Sequence, residues 1–162
     1  FKKGYSKFIE NSVMSGLDGL TIPDLPVEEN QEIFEIARRN DFKVVCFIAP
    51  TTTDQRVSLI TQKAQGFLYY ISVVGITGIR DKLPDDIIQN INKLKQMTNI
   101  PVAVGFGVST SEHAKLIGTV ADGVIVGSAI MREIEKYAKE PSEELVRGVG
   151  EFVGQLISGA KG

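Results

Sequence analysis

Five short runs of apolar, largely β-branched residues recur along the chain: Gly19–Pro23 (GLTIP), Lys43–Ala49 (KVVCFIA), Gly66–Ser72 (GFLYYIS), Pro101–Phe106 (PVAVGF) and Asp122–Val126 (DGVIV). Each run is nearly continuous rather than alternating, the pattern of strands covered on both faces. Their starts lie about 24, 23, 35 and 21 residues apart, and every interval carries a helical pattern. The repeating unit is therefore a strand followed by a helix, which predicts a parallel sheet.

The helical intervals have their own stripes and end signals. Ile33, Ile36 and Ala37 form one apolar stripe, and Ile87, Ile88, Ile91 and Leu94 form another. Leu145, Val149, Phe152, Val153 and Leu156 mark a last amphipathic helix, Met131–Tyr137 the one before it, and Ser6–Ser15 an opening one. Pro26 before Val27-Glu28-Glu29, and Pro84 before Asp85-Asp86, read as helix N-termini, where proline fits the first turn and acids offset the dipole. Ser109-Thr110-Ser111-Glu112 has the spacing of a capping box with Ser109 in the cap position. No linker or shift in composition divides the chain, so residues 1–162 read as a single α/β domain of about five βα units. Two architectures accommodate them, an open doubly wound sheet and part of a (βα)8 barrel, and periodicity does not choose between them.

Composition narrows the chemistry. At 162 residues and 17.7 kDa the chain is one domain with enough length for a real core. Eighteen Lys and Arg stand against twenty Asp and Glu, a net charge of −2, which argues against a nucleic-acid binder. No apolar run approaches the ~18 residues of a membrane span. One cysteine, Cys46, excludes an internal disulfide and a thiolate zinc site, and one histidine, His113, leaves little room for a histidine-based metal site or a multi-histidine mechanism. A reducing, cytoplasmic setting is expected, with chemistry done by carboxylates and backbone amides. The chain opens Phe1-Lys2-Lys3-Gly4, without an initiator Met or a signal peptide, and reads as the interior of a longer protein.

The candidate chemistry lies in glycine-bearing turns. Gly105-Phe106-Gly107-Val108 leads from one strand into the next helix, and Gly127-Ser128-Ala129-Ile130 does the same one unit later. Such turns bring backbone N–H groups and a helix N-terminus to one rim, and a Cβ there would keep an anion from the amides. Each amide–phosphate bond contributes roughly 1.5–3 kcal/mol as a charge-assisted contact. The bland alternative is that these glycines serve only tight turns. A third loop, Val73–Leu83 with Gly75-Ile76-Thr77-Gly78, is long for a βα connection and is a candidate lid. Together the loops could place the amides of Gly78, Gly107, Gly127 and Ser128 around one phosphate.

The remaining polar residues read as structural. Asp24 could cap or orient a loop, Glu28 and Glu29 sit in a helix start, and Asp81, Asp85 and Asp86 are solvated charges. His113 lies on a solvent-facing helix surface, and Cys46 is a core thiol. Tyr69 and Tyr70 must point to opposite faces of their strand.

The blocks Ile22-Pro23-Asp24-Leu25-Pro26-Val27-Glu28-Glu29, Ala49-Pro50-Thr51-Thr52-Thr53, Tyr69-Tyr70-Ile71-Ser72 with Gly75-Ile76-Thr77-Gly78, Gly105-Phe106-Gly107 and Gly127-Ser128-Ala129-Ile130 resemble, in order and spacing, the tryptophan synthase alpha subunit family. The resemblance implies a (βα)8 barrel that cleaves indole-3-glycerol phosphate to indole and glyceraldehyde 3-phosphate by a retro-aldol reaction. It implies docking on a beta subunit that carries pyridoxal phosphate, while the alpha chain itself holds no cofactor. Carried over position by position, Gly78, Gly107, Gly127 and Ser128 match the phosphate-binding turns, and Tyr69 the tyrosine beside the catalytic carboxylates. Phe106 and Ile125 match walls of the indole pocket, Thr77 the mobile loop, and Asp24 and Pro26 the loop facing the partner. The family's catalytic glutamate and aspartate have no counterpart in this chain. It matches strands four to eight, with roughly 90 residues of the usual barrel upstream of the match. The implied expectation is a chain that is inactive alone and, with sheet edges exposed, prone to associate. Another phosphate-binding βα-barrel enzyme and a non-catalytic half-barrel scaffold are the alternatives.

Overall fold

The computed structural model describes residues 4–72, 83, 86–105 and 107–161. After an opening helix α1 (Tyr5–Met14), strands and helices alternate: β1 (Gly19–Thr21), α2 (Gln31–Arg39), β2 (Lys43–Ile48), α3 (Asp54–Lys63), β3 (Leu68–Ile71), α4 (Ile87–Met97), β4 (Val102–Gly105), α5 (Ser111–Gly118), β5 (Gly123–Val124), α6 (Ser128–Lys136) and α7 (Ser142–Lys161). Among the described residues the five strands are parallel and lie in chain order, β1-β2-β3-β4-β5, without a reversal. A doubly wound sheet reverses its strand order at a switch point, whereas a barrel wall runs in sequence. The order therefore selects the barrel wall.

Burial agrees with this. The side chains of Val44, Cys46, Ile48, Leu68, Tyr70, Val102 and Val104 alternate onto one face of the sheet, are all buried and form one core with Ile33, Ile60, Ile91 and Ile117 from the helices. Each large aliphatic side chain taken fully from water in this layer contributes about 1.5–3 kcal/mol. The opposite face carries Phe47, Tyr69, Ile71 and Ala103, which are only half-buried. Strands covered on both faces were expected from the continuous apolar runs. Among the described residues the helices cover one face only, and the second face is apolar and partly open.

Several expected boundaries move, the starts of three helices among them. α2 starts at Gln31, not at Pro26, because its would-be first-turn carbonyls are engaged elsewhere: Pro26 O accepts from Glu29 N (3.2 Å) and Val27 O from Lys63 Nζ (3.0 Å). Thr110 rather than Ser109 caps α5, its hydroxyl accepting from His113 N at 3.2 Å. α6 starts at Ser128, three residues before the expected Met131, since Met131 N already donates to Gly127 O at 3.1 Å. Pro84 and Asp85 lie outside the described residues.

Candidate functional site

Register builds the inner face of the sheet. Phe47 pairs with Tyr69, Tyr69 with Ala103, Ala103 with Gly123, and Ile71 with Gly105, so these residues point to the same side. The rings of Phe47 and Tyr69 meet at a centroid distance of 5.0 Å and a tilt of 41°, within the range of favourable aromatic pairs. The Tyr69 ring also lies against the backbone of Gly105, so closely that a Cβ there would collide with it. Burial raises the Tyr69 phenol above its ordinary pKa. Tyr70 takes the opposite face, buried against α3 and α4, and burial followed by the charge of Asp86 pushes its phenol up to about 12. Ile125 follows Val124 and precedes Val126, both of which pack into the helix layer, and alternation turns Ile125 to the inner face. Among the described residues of β1 to β5 this face carries no carboxylate.

The C-terminal rim of the sheet holds the glycine turns. Gly107 has φ +85°, a left-handed conformation that a side chain disfavours, and Val108 after it drops into the core. One strand over, Gly127 is the N-cap of α6 and Ser128 its first helical residue. The first N–H groups of a helix have no acceptor within it, and the helix dipole makes that end positive. No acid occupies the first turn of α6, whereas α5 has Glu112 and α3 has Asp54 there. Open space stands beside Gly127, where a Cβ would meet nothing within 4 Å. Because β4 and β5 are paired neighbours, Gly107, Gly127 and Ser128 share one rim. The arrangement can hold an anion by backbone N–H donors.

The loop after β1 closes the other end of this rim. Asp24 is exposed and Pro26 half-buried. Leu25 N donates to Ile22 O (3.3 Å), and α3 tethers the loop through Arg56 to Glu28 (3.4 Å) and Lys63 to the Val27 carbonyl. Beneath it lies a cavity of about 400 Å³ lined by Pro23, Leu25, Phe47, Ala49, Thr52 and Arg56 among others. Ala49 and Thr52 shape its wall by two bonds, Thr52 N to Ala49 O (2.9 Å) and Ala49 N to Thr52 Oγ1 (3.0 Å). Phe47 is the site residue that sequence reasoning missed. Its signal is its place between Val45 and Ala49 at alternate positions of the apolar run Lys43–Ala49.

The other candidates stand apart from this face. His113 is partly buried on α5, with Nδ1 3.4 Å from Ser109 Oγ. Cys46 is a core thiol that burial pushes up to about 11, so it is a poor nucleophile at neutral pH. Thr77, Gly78 and Phe106 lie outside the described residues. No helix of the described residues is long and apolar enough to cross a membrane.

Comparison with known proteins places these features. The sequence profile of the family described as "Tryptophan synthase alpha chain" matches residues 1–160. The chain is 42% identical over 157 residues to the tryptophan synthase alpha chain of Thermoanaerobacter sp. (strain X514), covering 96% of this chain and 58% of that protein. It is 39% identical over 140 residues to that of Methanocaldococcus jannaschii, covering 86% of this chain and 50% of that one. In structure it is similar to tryptophan synthase subunit alpha of Legionella pneumophila, with TM-score 0.83, 28% identity and 99% and 58% of the two chains covered. A chain from the tryptophan synthase a2b2 complex of Pyrococcus furiosus gives TM-score 0.80 and 38% identity, over 94% of this chain and 62% of that one. The chain thus spans between half and three fifths of the length of the curated relatives it matches.

Proposed function

The chain belongs to the tryptophan synthase alpha chain family, a lyase family of tryptophan biosynthesis, and from that premise we propose that it supplies the phosphate-binding half of a barrel that cleaves indole-3-glycerol phosphate. Gly107, Gly127 and Ser128, with Gly78, hold the substrate phosphate through backbone N–H groups. Tyr69, Ile125 and Phe106 bound the indole ring, and Phe47 extends that apolar wall. Thr77 belongs to the loop that closes over the substrate. The observation that carries this reading is the pairing of a left-handed turn at Gly107 with the uncompensated N-terminus of α6 on adjacent strand ends.

Retro-aldol cleavage requires a base for the glycerol hydroxyl and an acid to protonate the indole carbon. The inner face of β1 to β5 carries no carboxylate for either role among the described residues. The resemblance puts the family's glutamate and aspartate on barrel segments that these 162 residues do not match. In this reading the chain binds the phosphate end of the substrate and does not turn it over alone. Asp24 and Pro26, on the exposed loop after β1, face a beta subunit that holds pyridoxal phosphate; this chain takes no cofactor. The cytoplasm is the proposed setting.

The test is an indole-3-glycerol phosphate cleavage assay of the chain alone, with a tryptophan synthase beta subunit, and with the N-terminal segment of an alpha chain supplied in trans. Activity is expected only when that segment is present. Turnover without it would overturn the assignment of the catalytic groups.

A further inference from the structure

Ser12 and Ser72 are the two buried serines among the described residues, and their hydroxyls do different things. Ser12 bonds back to the Phe8 carbonyl within α1 at 2.9 Å, a local habit of serine in helices. Ser72 reaches across the sheet. Its Oγ donates to the carbonyl of Gly105, 33 residues away, at 3.0 Å. Ser72 stands one residue past β3, in the alternation that puts Leu68 and Tyr70 in the core, and is 1% exposed. A hydroxyl at such a position gives up its water, a cost that alanine or valine there would not carry. The Gly105 carbonyl does not need this second bond to be satisfied, because Ser72 N already donates to the same oxygen at 3.1 Å.

What the bond adds is direction. Gly105 is the last residue of β4, and its carbonyl belongs to the peptide that opens the turn toward Gly107, at φ +85°. A carbonyl oxygen has two lone pairs, and a single donor leaves the peptide free to tilt about that bond. Two donors converging on the oxygen fix the peptide plane, and with it the aim of the N–H groups that follow. On the far side of the turn the Val108 side chain is buried in the core. Gly107 is thus held between two anchors, the Gly105 carbonyl before it and Val108 after it. β3 and β4 each have a paired strand on both sides, so the clamp sits within the sheet. Resting on the phosphate reading above, we propose that Ser72 is a positioning residue for the anion-binding turn: its hydroxyl holds the Gly105 peptide so that the Gly107 amide meets the phosphate monoester of the substrate.

The test titrates glycerol phosphate into the wild-type chain and into Ser72→Ala, Ser72→Cys and Asp122→Ala, followed by the amide resonances of Gly107, Gly127 and Ser128. Ser72→Ala should keep the far-ultraviolet circular dichroism, since the Gly105 carbonyl retains its bond from Ser72 N. It should raise the half-saturating concentration roughly three- to tenfold, the scale of one net hydrogen bond. Without ligand, the Gly107 amide should exchange with solvent faster in this variant, while those of Gly127 and Ser128 stay as they are. Ser72→Cys fills the same space with a poor donor and should behave as Ser72→Ala. Asp122→Ala removes the acceptor of Val102 N at the opposite end of β4; it should lower stability and leave the half-saturating concentration unchanged. Wild-type binding in Ser72→Ala, wild-type binding in Ser72→Cys, or an equal loss in Asp122→Ala would overturn the role of the Ser72 hydroxyl while leaving the phosphate reading in place. A wild-type chain whose three resonances ignore glycerol phosphate would overturn that reading, and the role of Ser72 with it.

Discussion

The ring of Tyr69 rests on the α-carbon of Gly105, two ring carbons standing 2.6 Å from where a Cβ at that position would be. Gly105 is paired with Ile71 inside the sheet, so the backbone has little freedom to move away. What reads in the sequence as the first glycine of a turn is therefore a packing glycine, and it makes room for the outer end of the tyrosine ring on the inner face. Gly105→Ala should destabilise the chain by about 1–3 kcal/mol through overpacking. In a urea-unfolding cycle with Tyr69→Ala, the double variant should lose less than the two single losses combined, because removing the ring removes the collision. Additive losses would place the ring elsewhere.

The cap of α5 gives a second test, one that separates neighbouring residues. Thr110 accepts from His113 N, while Ser109 meets only the His113 ring. Thr110→Ala should cost about 1 kcal/mol of stability and Ser109→Ala clearly less. Equal losses in urea midpoint would return the cap to Ser109.

Asp122 links the start of β5 to its neighbours. Its carboxylate accepts from Lys95 Nζ at 2.8 Å and from Val102 N at 2.8 Å, and these two, Lys95 first, hold its pKa below the ordinary 3.8. A carboxyl held low in the folded chain adds stability that is complete above its ordinary pKa and is lost as the pH falls through the folded one. Asp122 and Lys95 are both more than a third exposed, so the contribution of their pair is at most ~1 kcal/mol. Stability measured by urea from pH 6 down to pH 2 should fall on the acid side, and Asp122→Asn should flatten that limb without altering the neutral plateau by more than this amount. An unchanged acid limb would remove Asp122 from the account.

Much of this molecule is legible in its residues, for reasons that also mark where legibility stops. β2 and β4 fall where their apolar runs place them because Val44, Cys46, Ile48, Val102 and Val104 must be buried whatever the architecture. The start of α2 is not legible, because the group that takes the Val27 carbonyl is Lys63, far along the chain. The choice of a barrel wall over a doubly wound sheet rests on strand order, which periodicity does not encode. Phe47 escapes notice for a related reason: its role comes from standing beside Tyr69, a relationship set by the register of two strands. Gly127 and Ser128, in contrast, are legible locally, since a glycine followed by a helix start is a signal carried by consecutive residues.

The central claim is that the turns after β4 and β5 grip one anion together, and its most direct measurement is a titration of glycerol phosphate followed by the amide proton resonances of Gly107, Gly127 and Ser128. The account predicts that all three shift along a single saturation curve. It also predicts that Gly107→Ala, which forces a side chain into the left-handed conformation at a cost of about 1 kcal/mol, weakens that curve for every one of them. Resonances that stay still, or that saturate at different concentrations, would contradict it.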